Sequence, residues 1–267
     1  MSPRMPVAFV PHGGGPVTHV ELGMPPAEVS ALAAYWQSVR TLPPETPRAL
    51  LVVSAHWEEP VPTVMTSPRP PMLYDYGGFP PAAYTISWPA PGDPALASRV
   101  RELLGSAGFP TAEDPERGFD HGAFTPLKQA FPDAKVPALQ LSLKAGLDAA
   151  EHLSMGRALA PLRDEGVFIV GSGDTFHNMR AFRGGPSAYQ PSVQFNAWLD
   201  AVLTGSTKDR EAQLANWTSA PHARFCHPRE EHLLPLMVVA GAADGDPGKE
   251  TWRGSFMGTE QAGYHFG

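Results

Sequence analysis

Cysteine is nearly absent. Cys226 is the single one in 267 residues, so no intrachain disulfide can form. That suits a reducing compartment, and the chain reads as cytoplasmic. The lone thiol reads as a small buried residue rather than a reactive group. Long hydrophobic runs are also lacking: no stretch of about 18 apolar residues exists, which argues against a membrane span. The opening Met1-Ser2-Pro3-Arg4-Met5-Pro6 carries no apolar signal core. Positive charge is neither abundant nor clustered, with Lys+Arg 20 against Asp+Glu 27 and a net charge of −7. A surface of that balance speaks against nucleic acid and anionic membranes as partners. Phosphate-binding fingerprints are missing too. Gly13-Gly14-Gly15-Pro16 has neither the spacing nor the lysine of a P-loop. Gly171-Ser172-Gly173-Asp174 lacks the Gly-x-Ser-x-Gly frame of a serine hydrolase.

Proline, by contrast, is abundant, at 31 residues, roughly twice its usual ~5% share. The prolines are spread among apolar segments and are densest between Pro60 and Pro91, which predicts long ordered loops. Around them, strand-like and helix-like segments alternate. Pro6–Val10, Ala49–Ser54, Val136–Leu143 and Val167–Val170 are short apolar runs of the kind buried on both faces of a sheet. Helical features cover Pro25–Ser38, Asp93–Ala107, Phe124–Phe131, Ala149–Asp164 and Ser192–Leu203. A further helix is predicted over Arg229–Gly241, with Pro235 bending it where Glu231 and His232 sit. Trp57–Gly92 has no helical period and holds Tyr74, Tyr76, Phe79, Tyr84 and Trp88; a loop of that length is usually functional. The alternation predicts an α/β fold with a central, largely parallel or mixed sheet flanked by helices. No repeat or linker breaks it, so residues 1–267 read as one domain.

Four histidines stand where an apolar run or a first helical turn meets a loop: His12, His56, His177 and His232. In an open α/β sheet the carboxyl ends of strands converge on one crevice. Histidine is the commonest metal ligand and titrates near neutrality. A mononuclear metal enzyme, with its site at those strand ends, is the leading reading. His19, His152, His222 and His265 lack that setting and read as structural.

These residues carry a resemblance. Phe9-Val10-Pro11-His12-Gly13, Leu51-Val52-Val53-Ser54-Ala55-His56-Trp57, Tyr74 to Pro80, Pro89 to Gly92, Gly118 to Phe124, Gly156 to Leu159, Gly171 through His177-Asn178, and His227-Pro228 through Pro235 follow one another in a family's order over almost the whole chain. The chain resembles the class III extradiol ring-cleavage dioxygenases (the LigB-like superfamily), in the branch similar to 4,5-DOPA dioxygenase. The resemblance implies metal ligation by His12 and His56, with the third ligand in the Glu231-His232 pair. His232 comes first and Glu231 is the alternative. It implies that His177 is the acid/base and a possible fourth ligand, and that His121 contacts substrate. Gly14 and the aromatic loop at Tyr74 would border the substrate. Many relatives read His-Gly-Ser-Pro where this chain has Gly13-Gly14-Gly15-Pro16, so the loop beside the substrate differs. The implied reaction opens the ring of a catechol with O2. Fe(II) is the implied working metal, with Zn(II) a metal that the purified protein could carry. The competing reading is a zinc-dependent amidase or esterase using a metal-bound water. A third is a non-catalytic metal- or ligand-binding protein of the same fold.

Overall fold

The structure is a computed structural model and describes residues 3–182, 184 and 186–267; Met1 and Ser2 of the opening segment lie outside it. Its strands are β1 (Val7–Pro11), β2 (Ala49–Glu59), β3 (Thr63–Met65), β4 (Ala112–Asp114), β5 (Ala138–Lys144), β6 (Val167–Gly173), β7 (Gly248–Phe256) and β8 (Thr259–Phe266). Among the described residues they form one eight-stranded sheet in the order β4-β3-β5-β2-β6-β1-β8-β7. The four apolar runs β5, β2, β6 and β1 are its parallel centre. Every residue of β1 and β6 is buried, as expected of strands covered on both faces. The margins are antiparallel: β3 pairs with β5, β8 pairs with β1, and β7 closes a hairpin with β8. The sheet is therefore mixed.

The helices are α1 (Pro26–Val39), α2 (Pro94–Ser106), α3 (His121–Ala130), α4 (Ala149–Leu159), α5 (Pro186–Thr204), α6 (Thr207–Ala215), α7 (Ala223–Cys226) and α8 (Leu234–Ala242). Successive residues of a strand face opposite sides of the sheet, and β6 shows which helix lies where. Gly171 and Gly173 face α8 and the turn before it, while Ser172 between them hydrogen-bonds the Gly122 carbonyl of α3. A Cβ on Gly173 would come within 2.1 Å of the His232 carbonyl oxygen. The missing side chain is what lets that turn sit directly on the strand end.

Two expectations need correction, and one element was not expected. No helix spans Arg229–Gly241. Glu231 and His232 lie in a turn, α8 starts at Leu234, and Pro235 falls in its first turn. There proline costs no hydrogen bond, so it starts the helix instead of bending it. The Trp57–Gly92 stretch is not all loop either: β2 runs on to Glu59, and β3 and a 3-10 turn at Pro81–Thr85 follow. Finally, the C-terminal hairpin β7–β8 is an element that no apolar run announces, because β7 is mostly only partly buried. No helix among the described residues is long and apolar enough to cross a membrane.

Candidate metal centre

The centre is built at the carboxyl ends of three adjacent strands. Pro11 at the end of β1 pairs with Gly173 at the end of β6. The next residues, His12 and Asp174, therefore leave the sheet side by side. On the other side of β6, Ser54 of β2 pairs with Ser172. Between the pairs Val53–Leu141 and Glu58–Leu143, β2 advances five residues while β5 advances two. Such a bulge re-aims side chains, and here it carries His56. Asp120 caps α3, accepting from the Ala123 N–H at 3.2 Å, and is itself held by Ser54, Arg117 and Gln140. That places His121 in the first turn of α3. The turn before α8 supplies His232, and the segment after β6 supplies His177.

Five imidazoles thereby converge on one cavity of about 480 Å³. His12 and His56 bring their Nε2 atoms to 3.0 Å. Ring centroids of His232 lie 5.1 Å from His12 and 4.9 Å from His56. The His56 and His121 rings are 3.9 Å apart, and His177 stacks on His232 at 3.3 Å. The coordinating atoms of His12, His56 and His121 lie within 4.8 Å of one another, as do those of His12, Asp174 and His232, and those of His177, Glu231 and His232.

The partners behind these rings set their tautomers. The Ser172 hydroxyl donates to the Gly122 carbonyl at 2.5 Å, so its oxygen accepts from His12 Nδ1 at 3.0 Å. That leaves a lone pair on His12 Nε2. Asp75 takes His121 Nδ1 at 2.8 Å and lies 3.5 Å from His56 Nδ1. Glu231 Oε1 takes His232 Nδ1 at 3.0 Å and faces His177 Nδ1 at 3.4 Å. Anchoring Nδ1 on an oxygen while Nε2 points inward is the usual support of a metal-bound histidine. A separation of 3.0 Å between His12 Nε2 and His56 Nε2 suits a proton shared between them or a cation held by two lone pairs. The donor set therefore fits a metal ion. Glu231 backs His232 from behind, and its other oxygen meets Arg229, itself paired with Glu58.

Burial, then the neighbouring imidazoles, holds His12 well below the usual histidine range. Burial does the same to His232, although a hydrogen bond to Glu231 raises it. Burial and His121 lower His56 to about 4. Burial takes the structural His227 to about 3. For Glu231, burial raises the carboxyl, but hydrogen bonds from His177 and His232 outweigh it and hold it below the carboxylate range. Burial pushes Asp174 well above that range. A histidine lowered in the folded state binds fewer protons than in the unfolded chain, so its contribution is intact above pH 6.5 and lost as pH falls toward its folded value. Asp174 works in the opposite sense, as one group against four. The metal-free protein is therefore expected to melt at a lower temperature at pH 5 than at pH 7, each tenfold change in a group's proton affinity on folding being worth about 1.4 kcal/mol. Thermal melts across that range check it, and an equal or higher melting temperature at pH 5 would contradict it.

The cavity walls are apolar and aromatic: Tyr76, Phe79, Phe182 and Phe256, with Met24 and Met257. Gly14 lines it as well. Tyr74 is not among the described lining residues. Its hydroxyl donates to the Ile86 carbonyl, and its ring packs against Tyr76 and Phe124, so it braces Tyr76 from outside. His19, His152, His222 and His265 are not among the lining residues. Cys226 is buried, and burial pushes its thiol up to about 12. Asp75, Ser172 and Asp174 are site residues that the sequence did not single out. Asp174 had one visible signal, an acid directly after an apolar strand ending in Gly-Ser-Gly. Asp75 had only its place in the segment Tyr74 to Pro80, because the folded loop alone brings it to His121.

Comparisons with known proteins agree with this arrangement. The family model described as the catalytic LigB subunit of aromatic ring-opening dioxygenase matches residues 6–267. A 4,5-DOPA dioxygenase extradiol from Escherichia coli (strain K12) is 41% identical over 248 residues, covering 91% of this chain and 87% of that protein. One of the same name from Portulaca grandiflora is 42% identical over 233 residues, covering 84% of this chain and 83% of that protein. The crystal structure of an uncharacterized protein from Escherichia coli K12 superposes with a TM-score of 0.80 at 36% identity, covering 99% of this chain and 100% of that one. With a family match over nearly its full length and a histidine cluster at the strand ends, the chain belongs to the LigB family of aromatic ring-opening dioxygenases.

Proposed function

We propose that residues 1–267 form one catalytic domain, an extradiol dioxygenase that opens the aromatic ring of a catechol, DOPA-like or a related dihydroxyphenyl compound, with O2. The observation that carries this reading is the pairing of a multi-histidine floor with aromatic walls in one cavity of about 480 Å³. A pocket of that size and lining suits a small aromatic ligand, whereas the polar groups of an ester or amide would find few partners on the walls. The pairing of β1 with β8 in one sheet supports a single domain.

His12, His56 and His232 would hold the metal, with Glu231 orienting His232 rather than binding in its place. Bound there, Fe(II) would supply joint coordination of the diol and O2. The remaining chemistry belongs to the side chains. His177, its Nδ1 facing Glu231, has Nε2 available to take the second hydroxyl proton and later return it. His121, fixed at both its backbone N–H and Nδ1 by Asp75, would hydrogen-bond the substrate through Nε2. Tyr76, its hydroxyl tied to the Ala83 carbonyl, offers its ring face as a wall and helps to exclude water. Gly14 lets the substrate approach the loop after β1 closely.

The test is to load metal-free protein with Fe(II) anaerobically, add a panel of catechols, admit air, and follow oxygen uptake with the yellow absorbance of a ring-opened semialdehyde. Uptake matched to colour is expected for at least one catechol. Silence across the panel, with ester or amide hydrolysis under Zn(II), would transfer the assignment to a hydrolase.

A further inference from the structure

Asp174 stands at the centre without a role in the proposed reaction. It is the first residue beyond β6, the strand between those that deliver His12 and His56. Its side chain is 1% exposed. One oxygen, Oδ1, accepts from the Gly13 N–H at 3.3 Å. The other, Oδ2, faces His12 Nε2 at 3.7 Å. That nitrogen carries the lone pair, because His12 Nδ1 donates to Ser172. No proton is thus available from His12 to satisfy Oδ2. His12, Asp174 and His232 offer coordinating atoms within 4.8 Å of one another, and all three residues are buried. No lysine or arginine pairs with Asp174 among the described residues, its side-chain partners being Gly13 and His12, so a positive partner for this carboxylate would be a cation bound beside His12. Ionising a buried carboxyl without a paired cation is costly, and a bound metal ion would offset that cost.

We propose that Asp174 is a metal ligand, contributing one carboxylate oxygen to the ion held by His12 and its neighbouring histidines. Asp174 would add a carboxylate to the histidine donors, and a mixed set of imidazole and carboxylate suits non-haem Fe(II). The carboxylate lowers the net charge of the centre and favours a hard divalent ion with sites left open. A centre of histidines alone would be better matched to zinc. The inference rests on the proposed metal centre but not on the proposed reaction, and its test needs no substrate.

Asp174→Asn keeps an oxygen for the Gly13 N–H and removes the charge. Metal-free wild type, Asp174→Asn and His12→Ala are titrated with Co(II) against a competing chelator, and the visible Co(II) bands are recorded. Asp174→Asn is expected to weaken Co(II) by more than about a hundred-fold, beyond the loss of a supporting residue, and to shift the bands, while His12→Ala binds none. A smaller loss, or unchanged bands, would overturn the assignment. Retention of Co(II) by His12→Ala would bring down the metal centre itself. Should the asparagine variant not fold, a crystal structure of Co(II)-loaded wild type decides. An Asp174 oxygen at about 2.0–2.2 Å from the metal supports the assignment, and one beyond bonding distance overturns it.

Discussion

His12→Ala is expected to abolish metal binding and ring opening together. His12 is fully buried, its Nδ1 is fixed by Ser172, and its Nε2 meets the Nε2 of His56 at 3.0 Å. Its ring also neighbours the other histidines, with centroids 5.1 Å from His232 and 5.5 Å from His121. Alanine leaves a hole at that junction and removes the lone pair the others converge on. The expected loss of metal affinity exceeds about a hundred-fold, the upper end of what losing a mere supporting residue costs. The metal-free fold should survive, because the change removes an imidazole that burial keeps neutral rather than a packed apolar side chain. Metal content after dialysis and a thermal melt of the metal-free variant check both halves. Full metal occupancy in a folded His12→Ala protein would refute the assigned centre.

The second large effect separates chemistry from binding. His177→Ala is expected to retain metal within a few-fold and to lose turnover by about 10²–10⁴, the usual worth of a positioned proton-transfer group. His177 lines the cavity, and its Nδ1 shares Glu231 with His232. Its ring stacks flat on His232, with an interplanar angle of 12°, and its Nδ1 faces Glu231, so both hold it in place. Steady-state oxygen uptake beside a metal-binding isotherm makes the distinction. A loss of metal as large as that of His12→Ala would make His177 a ligand, and undiminished turnover would remove it from proton transfer.

Much of the frame was legible beforehand because its signals are local. β1, β2, β5 and β6 are continuous apolar runs, and burial on both faces needs nothing else in the sequence. His12 and His56 could be picked out because each follows directly on such a run. The helix predicted over Arg229–Gly241 failed for a local reason as well. Its apolar residues begin only at Leu233, and proline is as compatible with a helix start as with a kink. The hairpin β7–β8 was hidden because an edge strand that is only partly buried carries no apolar run.

What the sequence alone determined is therefore the α/β class, the run-then-histidine positions and, through the ordered motifs, the family. These depend on residues adjacent in the chain. The tertiary structure decided who stands behind whom. Strand order placed Asp174 beside His12, 162 positions away in sequence (174 − 12). The bulge in β2 aimed His56 at His12, and the loop between β3 and α2 brought Asp75 to His121. The turn before α8 set Glu231 Oε1 against His232 Nδ1. Those choices arise from strand pairing and close backbone approach, as at Gly173 under the His232 carbonyl. Such contacts join residues distant in sequence, so no pattern along the chain records them.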